Sequence, residues 1–182
     1  TSSPTLPALR APVVGQSGEN WLIVSGSLGN FHDFNNTFNT DIYVFDPNTQ
    51  RLYSVPIAST DLDIEVVKQL SSTSTQHIQD GDTLYIIGGY YTPDNNNWTT
   101  LQTITSMNVP QMISAVISGQ TNLNQYVNFR IDIPQFKVTG GKIGKINNFF
   151  YLAYGQTCAN GGSYCTGQVY TNSIYQFITD PT

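Results

Sequence analysis

Three polar stretches concentrate the side chains that could recognise a ligand. The first, Gly29 to Phe38, carries Phe31, His32 and Asp33. The second, Tyr90 to Trp98, carries Tyr90, Tyr91, Asp94 and Trp98. The third, Gln156 to Thr166, carries Tyr164 between Cys158 and Cys165. Aromatic rings beside amides and carboxylates suit a saccharide: a ring stacks on the C–H face of a pyranose while the polar groups take its hydroxyls. The same mixture suits protein recognition, where Tyr and Trp anchor the contact and amides adapt to it. Phe31, His32, Asp33, Tyr90, Tyr91, Asp94, Trp98 and Tyr164 are therefore the candidate ligand-binding residues. The competing role for Phe34, Phe38 and Trp98 is to plug their own loops from beneath.

Catalysis has little support. The two histidines are His32 and His77, and no Gly-x-Ser-x-Gly elbow, His-Glu-x-x-His pair or P-loop is present. His32 beside Asp33 could titrate near neutral pH, but it has no accompanying nucleophile. His77 falls in a strand pattern and reads as structural. No catalytic residue, cofactor or metal site is assigned. Asp33 with Asn35 and Asn36, and Asp94 with Asn95 to Asn97, offer oxygen ligands without the spaced acidic pattern of an EF-hand loop, and Asx turns account for them. Cys158 and Cys165 lack nearby His partners for zinc. Closely spaced, without a reactive motif, they are predicted to form a disulfide. Asn35-Asn36-Thr37 and Asn97-Trp98-Thr99 fit the N-glycosylation pattern, a match expected by chance in so Asn- and Thr-rich a chain.

Each polar stretch follows the same element. Trp21-Leu22-Ile23-Val24-Ser25-Gly26, Leu84-Tyr85-Ile86-Ile87-Gly88-Gly89 and Phe150-Tyr151-Leu152-Ala153-Tyr154-Gly155 are apolar strands running into glycine, at intervals of about 60 residues. A turn precedes each: Gly15 to Asn20, Gln79 to Thr83, and Gly144 to Asn148. Gly, Asn and Asp there tolerate positive φ, the strongest short hairpin cue. Ala11–Val14, Ser74–Ile78 and Gly141–Ile143 read as the hairpins' first arms. Asp41–Phe45, Leu101–Thr105 and Ser173–Phe177 read as the strands after the loops. The result is a four-stranded antiparallel meander repeated about three times, and radial repetition of such sheets makes β-propeller blades. One helix interrupts the pattern near 109–118. Asn108 caps it, Pro110 opens it and Gly119 ends it, and Met112, Ile113, Val116 and Ile117 share a face expected to pack on a blade edge. Asp61–Leu70 is expected to hold a shorter helical turn.

The double glycine of Ile86-Ile87-Gly88-Gly89-Tyr90, preceded by Gln79-Asp80-Gly81-Asp82-Thr83-Leu84-Tyr85, resembles a kelch repeat. The other copies keep only the second glycine. The chain is also similar, through Leu70–Tyr90, Val138–Gly141 and Tyr170–Ile174, to secreted bacterial kelch-motif proteins of unassigned function. The resemblance implies an all-β propeller of six or seven blades that serves mostly as a binding platform, although some kelch domains are enzymes. The copper centre of kelch oxidases needs Tyr and His ligands with a cysteine close to a Tyr, and paired cysteines leave none free. The reading is a single partial propeller over 1–182, with blades 11–73, 74–139 and 140–182, half of a six-bladed ring. Three completions stay open: further blades of a longer protein, a second copy related by a two-fold axis, or a companion chain.

Asp, Glu, Lys and Arg make up only 10% of residues, against about 25% in typical domains. With no apolar run long enough for a membrane span, this neutral, Asn- and Thr-rich composition suits a secreted or cell-surface protein. A net charge of −5 with seven Lys and Arg residues excludes nucleic acid as a partner. The function expected is a secreted binding or adhesion module for glycan or protein, acting through the loops after the strand-end glycines. The alternatives are half of an extracellular carbohydrate-active enzyme and a structural subunit of a surface assembly.

Overall fold

The computed structural model describes residues 5–28, 37–94, 97–158 and 167–179. Its organising unit is an antiparallel meander. In the first sheet, β1 (Val13–Ser17), β2 (Asn20–Val24), β3 (Asp41–Asp46) and β4 (Arg51–Pro56) pair in sequence order. The second sheet repeats that order with β5 (Gln76–Asp80), β6 (Thr83–Ile87), β7 (Ile104–Asn108) and β8 (Val127–Arg130). The third has β9 (Lys142–Ile146), β10 (Phe149–Ala153) and β11 (Ile174–Phe177). The first hairpin of every sheet turns through a residue of positive φ, at Gly18, Gly81 and Asn147, as the Gly- and Asn-containing turns predict.

The loop after the second strand repeats too. Each contains a two-residue ladder: Ser27–Leu28 with Thr37–Phe38, Tyr90–Tyr91 with Thr99–Thr100, and Gln156–Thr157 with Val169–Tyr170. Each opens on a corner of two left-handed residues: Ser25 and Gly26 (φ 60° and 92°), Gly88 and Gly89 (63° and 120°), Tyr154 and Gly155 (64° and 87°). The amide of Gly26 donates to Ser72 O (2.8 Å) and that of Gly89 to Val138 O (3.0 Å), so each corner is bound to the linker entering the next sheet. The corners also displace one predicted strand. Leu101 N donates back to Gly89 O (2.9 Å) and Thr103 O accepts from Gly88 N (2.9 Å). Leu101–Thr103 thus follows the corner, and the ladder starts only at Ile104, opposite Ile87. The first arms likewise begin two residues or so later than predicted in the first two sheets, because Ala11 and Ser74 sit at positive φ (49° and 57°).

Alternation along β6 divides the interior. Leu84 and Ile86 face the first sheet and join the larger core, with Leu22, Val24, Ile42 and Val44. Ile87 faces the third sheet and joins a smaller, more aromatic core with Phe136, Val138, Ile143, Phe150 and Leu152, against which Tyr85 packs. Period-two alternation of apolar residues on both sides is what a strand buried on both faces requires.

Two helices cover the larger core. α1 (Ile64–Leu70) lies in the linker between the first two sheets; the Asp63 carboxylate caps it by accepting from Glu65 N (2.9 Å). α2 (Val109–Ile117) follows β7, capped by Asn108 Oδ1, which accepts from Gln111 N (3.0 Å). It touches all four strands of the first sheet, so it packs across a sheet face where the sequence suggested an edge. Val109, Met112, Ile113 and Val116 are buried there, whereas Ile117 is 38% exposed. No helix among the described residues is long and apolar enough to cross a membrane.

Candidate binding face of the glycine-corner loops

The described ends of the loops after the three corners touch one another. Phe38 of the first stacks on Tyr91 of the second (centroids 6.3 Å apart) and meets Trp98 edge-on (5.8 Å). Thr100 Oγ1 of the second accepts from Cys158 N of the third (3.0 Å).

Of the candidates, Tyr90, Tyr91, Asp94 and Trp98 are brought together. Phe31, His32, Asp33, Tyr164 and Cys165 lie outside the described residues, as does Asn35. Trp98 is only 3% exposed and stacks face to face on Tyr90 (4.4 Å). It stands beneath the loop as a packing plug. Burial pushes the Tyr90 phenol up to about 12. Tyr90 Oη and Trp98 Nε1 are buried without a hydrogen-bond partner among the described residues. Asp94 is exposed, and its carboxylate accepts from Asn97 N (2.9 Å) and Asn97 Nδ2 (2.5 Å), bonds made within its own loop. Tyr91 alone of the four lines an open cleft. Cys158 is buried and is not a free thiol. His77 is half-buried in β5; burial first, and the Lys142 charge second, hold its pKa below the usual value.

The cleft has a volume of about 560 Å³ and runs between the second loop, α1 and the linker from β8 to β9. Tyr91 and Pro93 supply its apolar wall, Thr99 and Gln102 its polar groups, and Glu65, Lys68, Asp132 and Lys137 its charges. Lys68 Nζ pairs with Glu65 Oε1 at 2.6 Å. Gln102 Nε2 donates to Asp132 Oδ1 (2.7 Å), holding a residue whose own φ is +60°. Two carboxylates and two ammonium groups make the site strongly polar yet balanced in charge. Sequence reasoning missed Lys68, Gln102, Asp132 and Lys137. The only signal of the three charged ones is that charged residues are scarce in this chain, and Gln102 has none; nothing in their spacing brings two connectors together.

No family model and no curated protein matches the sequence. Among solved structures, one titled "Structure of YjhT" superposes on 98% of this chain with a TM-score of 0.61 and 9% sequence identity. The superposition takes in 52% of that structure, so the chain spans about half its length. At this identity the likeness concerns the fold alone.

Proposed function

We propose that this chain is a kelch-type propeller segment that binds a saccharide on its loop face. The observation that carries the reading is the charge-balanced cleft beside Tyr91: one aromatic wall, hydroxyl and amide groups, and paired charges that can take hydroxyls as donors and as acceptors. Both carboxylates of the lining are already engaged, Glu65 by Lys68 and Asp132 by Gln102, which favours recognition without turnover. A glycan array followed by calorimetry tests this. Binding should be saturable, leave the sugar intact and weaken at least tenfold in Tyr91→Ala and Gln102→Ala. A folded protein that binds no glycan, or cleaves one, overturns it.

In this reading the module is secreted or displayed at the cell surface, and Cys158 pairs with Cys165 to tie the third loop. Its partners are further blades of the ring. Ile146 (62% exposed), Phe149 (43%) and Ile174 (65%) line the outer face of the third sheet, and Trp21 (42%) and Val14 (38%) that of the first. Apolar faces of this kind call for a neighbouring sheet. Gln16 supports it as well. Gln79 hooks the edge of the first sheet, accepting from Gln16 N and donating to Gln16 O (2.7 Å each), while its Nε2 also donates to Gly81 O (2.9 Å). Gln16 makes the matching bond to Gly18 O (3.0 Å) and stands ready as the same hook for a preceding sheet.

A further inference from the structure

The charges of the cleft beside Tyr91 cancel in sum but not in pairs. Glu65 and Lys68 neutralise each other on α1, Nζ to Oε1 at 2.6 Å. Asp132 Oδ1 accepts from the neutral amide of Gln102, which leaves Oδ2 open to a further donor. Lys137 lines the same cleft, and its ammonium has no ion-pair or hydrogen-bond partner among the described residues. Lys145 makes the contrast: its ammonium reaches Asp80 Oδ2 of the neighbouring sheet at 2.5 Å.

Lys137 is also held in place. Phe136 and Val138, on either side of it, are buried in the smaller core. Lys137 N donates to Pro134 O (3.2 Å), and Val138 O accepts from Gly89 N (3.0 Å). The backbone is thus fixed before and after a half-buried lysine whose side chain lines the cleft. Anchoring of this kind keeps a binding group where its ligand meets it. A half-buried ammonium with no carboxylate on it gains most from an incoming anion, because a charge-assisted hydrogen bond is roughly twice as strong as a neutral one. A sugar hydroxyl would fill its hydrogen bonds and leave its charge uncompensated. We infer that the cleft recognises an acidic saccharide. Lys137 takes an oxyanion carried on the sugar, a carboxylate or a sulfate ester, while Asp132 Oδ2 accepts from a hydroxyl of the same ligand. That orientation keeps the oxyanion off the Asp132 carboxylate. The inference rests on the saccharide reading above and adds to it the charge of the ligand.

The test is a glycan array of matched neutral, uronic and sulfated saccharides, probed with the 182-residue protein and followed by calorimetry on the ligands retained. Acidic members should bind about tenfold or more tightly than their neutral counterparts, the worth of one hydrogen bond to a charged group. Comparison of uronic with sulfated members shows which oxyanion fits. Added salt should narrow the gap between acidic and neutral sugars. Lys137→Met should abolish the preference at an unchanged urea midpoint, and Lys137→Arg should retain it. Lys142→Met, at an exposed position outside the cleft, should leave it as in wild type. Equal binding of acidic and neutral sugars, or a preference that survives Lys137→Met, would overturn this inference and leave the saccharide reading standing. Binding of no sugar at all would overturn both.

Discussion

Ser25, Gly88 and Tyr154 occupy one position in three successive sheets, all at φ near +60°, and three environments decide which residue each tolerates. A Cβ on Gly88 would lie 2.0 Å from Val138 O, in the linker that crosses over it. Ser25 is fully buried and turns its hydroxyl into that space, donating to Ser72 O at 2.6 Å. Tyr154 is 71% exposed, with no linker over it among the described residues. A covered corner therefore takes glycine where the linker carbonyl lies against it, as at Gly88, and serine where the hydroxyl can donate to that carbonyl, as at Ser25. At the exposed third corner the backbone keeps its left-handed turn with a bulky residue.

The largest expected effect comes from forcing a side chain into the covered corner. Gly88→Ala places a methyl group against a backbone carbonyl and adds left-handed strain, and should cost about 3 kcal/mol or more, read as a lowered urea midpoint. Tyr154→Ala at the uncovered corner should change stability by less than about 0.5 kcal/mol. Equal losses at both corners would mean that the third corner is covered as well.

A second contrast lies between the linkers. α1 inserts Gln69, fully buried, against the second sheet. Its Nε2 donates to Thr103 O (2.8 Å) and Gly88 O (3.0 Å), and its Oε1 accepts from Thr105 Oγ1 (2.5 Å). The linker to the third sheet has only the short turn Pro134–Phe136, plugged by Phe136. Gln69→Ala would strand several buried polar groups and should cost about 2–3 kcal/mol. Gln69→Glu should recover little of it, since a carboxylate cannot donate to the carbonyls.

Legibility in the sequence followed how local each signal was. The glycine-ended strands, their hairpins and the capped α2 depend on neighbours in sequence, and they stand where the residues place them. Gln69 and Lys137 carry no such signal, because each acts across a linker on atoms brought close only by stacking of the sheets. Trp98 shows the limit from the other side. An aromatic in a polar loop reads equally as a ligand platform or a plug, and only its stacking on Tyr90 and contact with Phe38 separate the two.

The third loop gives a smaller effect. If Cys158 pairs with Cys165, Cys158→Ser or reduction should lower stability by about 2 kcal/mol by the chain-entropy account of so short a loop. Intact mass with and without alkylation after reduction reports the bond itself. On the bare face of the third sheet, Ile174→Ser should shift the urea midpoint of the isolated chain by less than about 0.5 kcal/mol. In a closed ring the same change would expose a buried contact and cost several times more, so comparison across protein concentrations separates the two states.

The smallest effect concerns His77, which lies opposite Ile86 of the larger core across the β5–β6 ladder. Burial, then the Lys142 charge, disfavours its protonation in the folded chain. The unfolded chain takes up that proton at an ordinary His pKa of about 6.5. Above this pH both states are neutral at His77, and the residue adds no pH dependence. As pH falls below it the unfolded state binds the proton first, so stability drops, and it levels off only once the lowered folded pKa has been passed. His77→Gln should remove this component, so the difference in urea midpoint between wild type and variant should be flat at higher pH and bend below about 6.5. A difference independent of pH would mean that the imidazole is as well solvated in the folded chain as in the unfolded one, and that the second sheet is less closely covered at this strand than its neighbours make it.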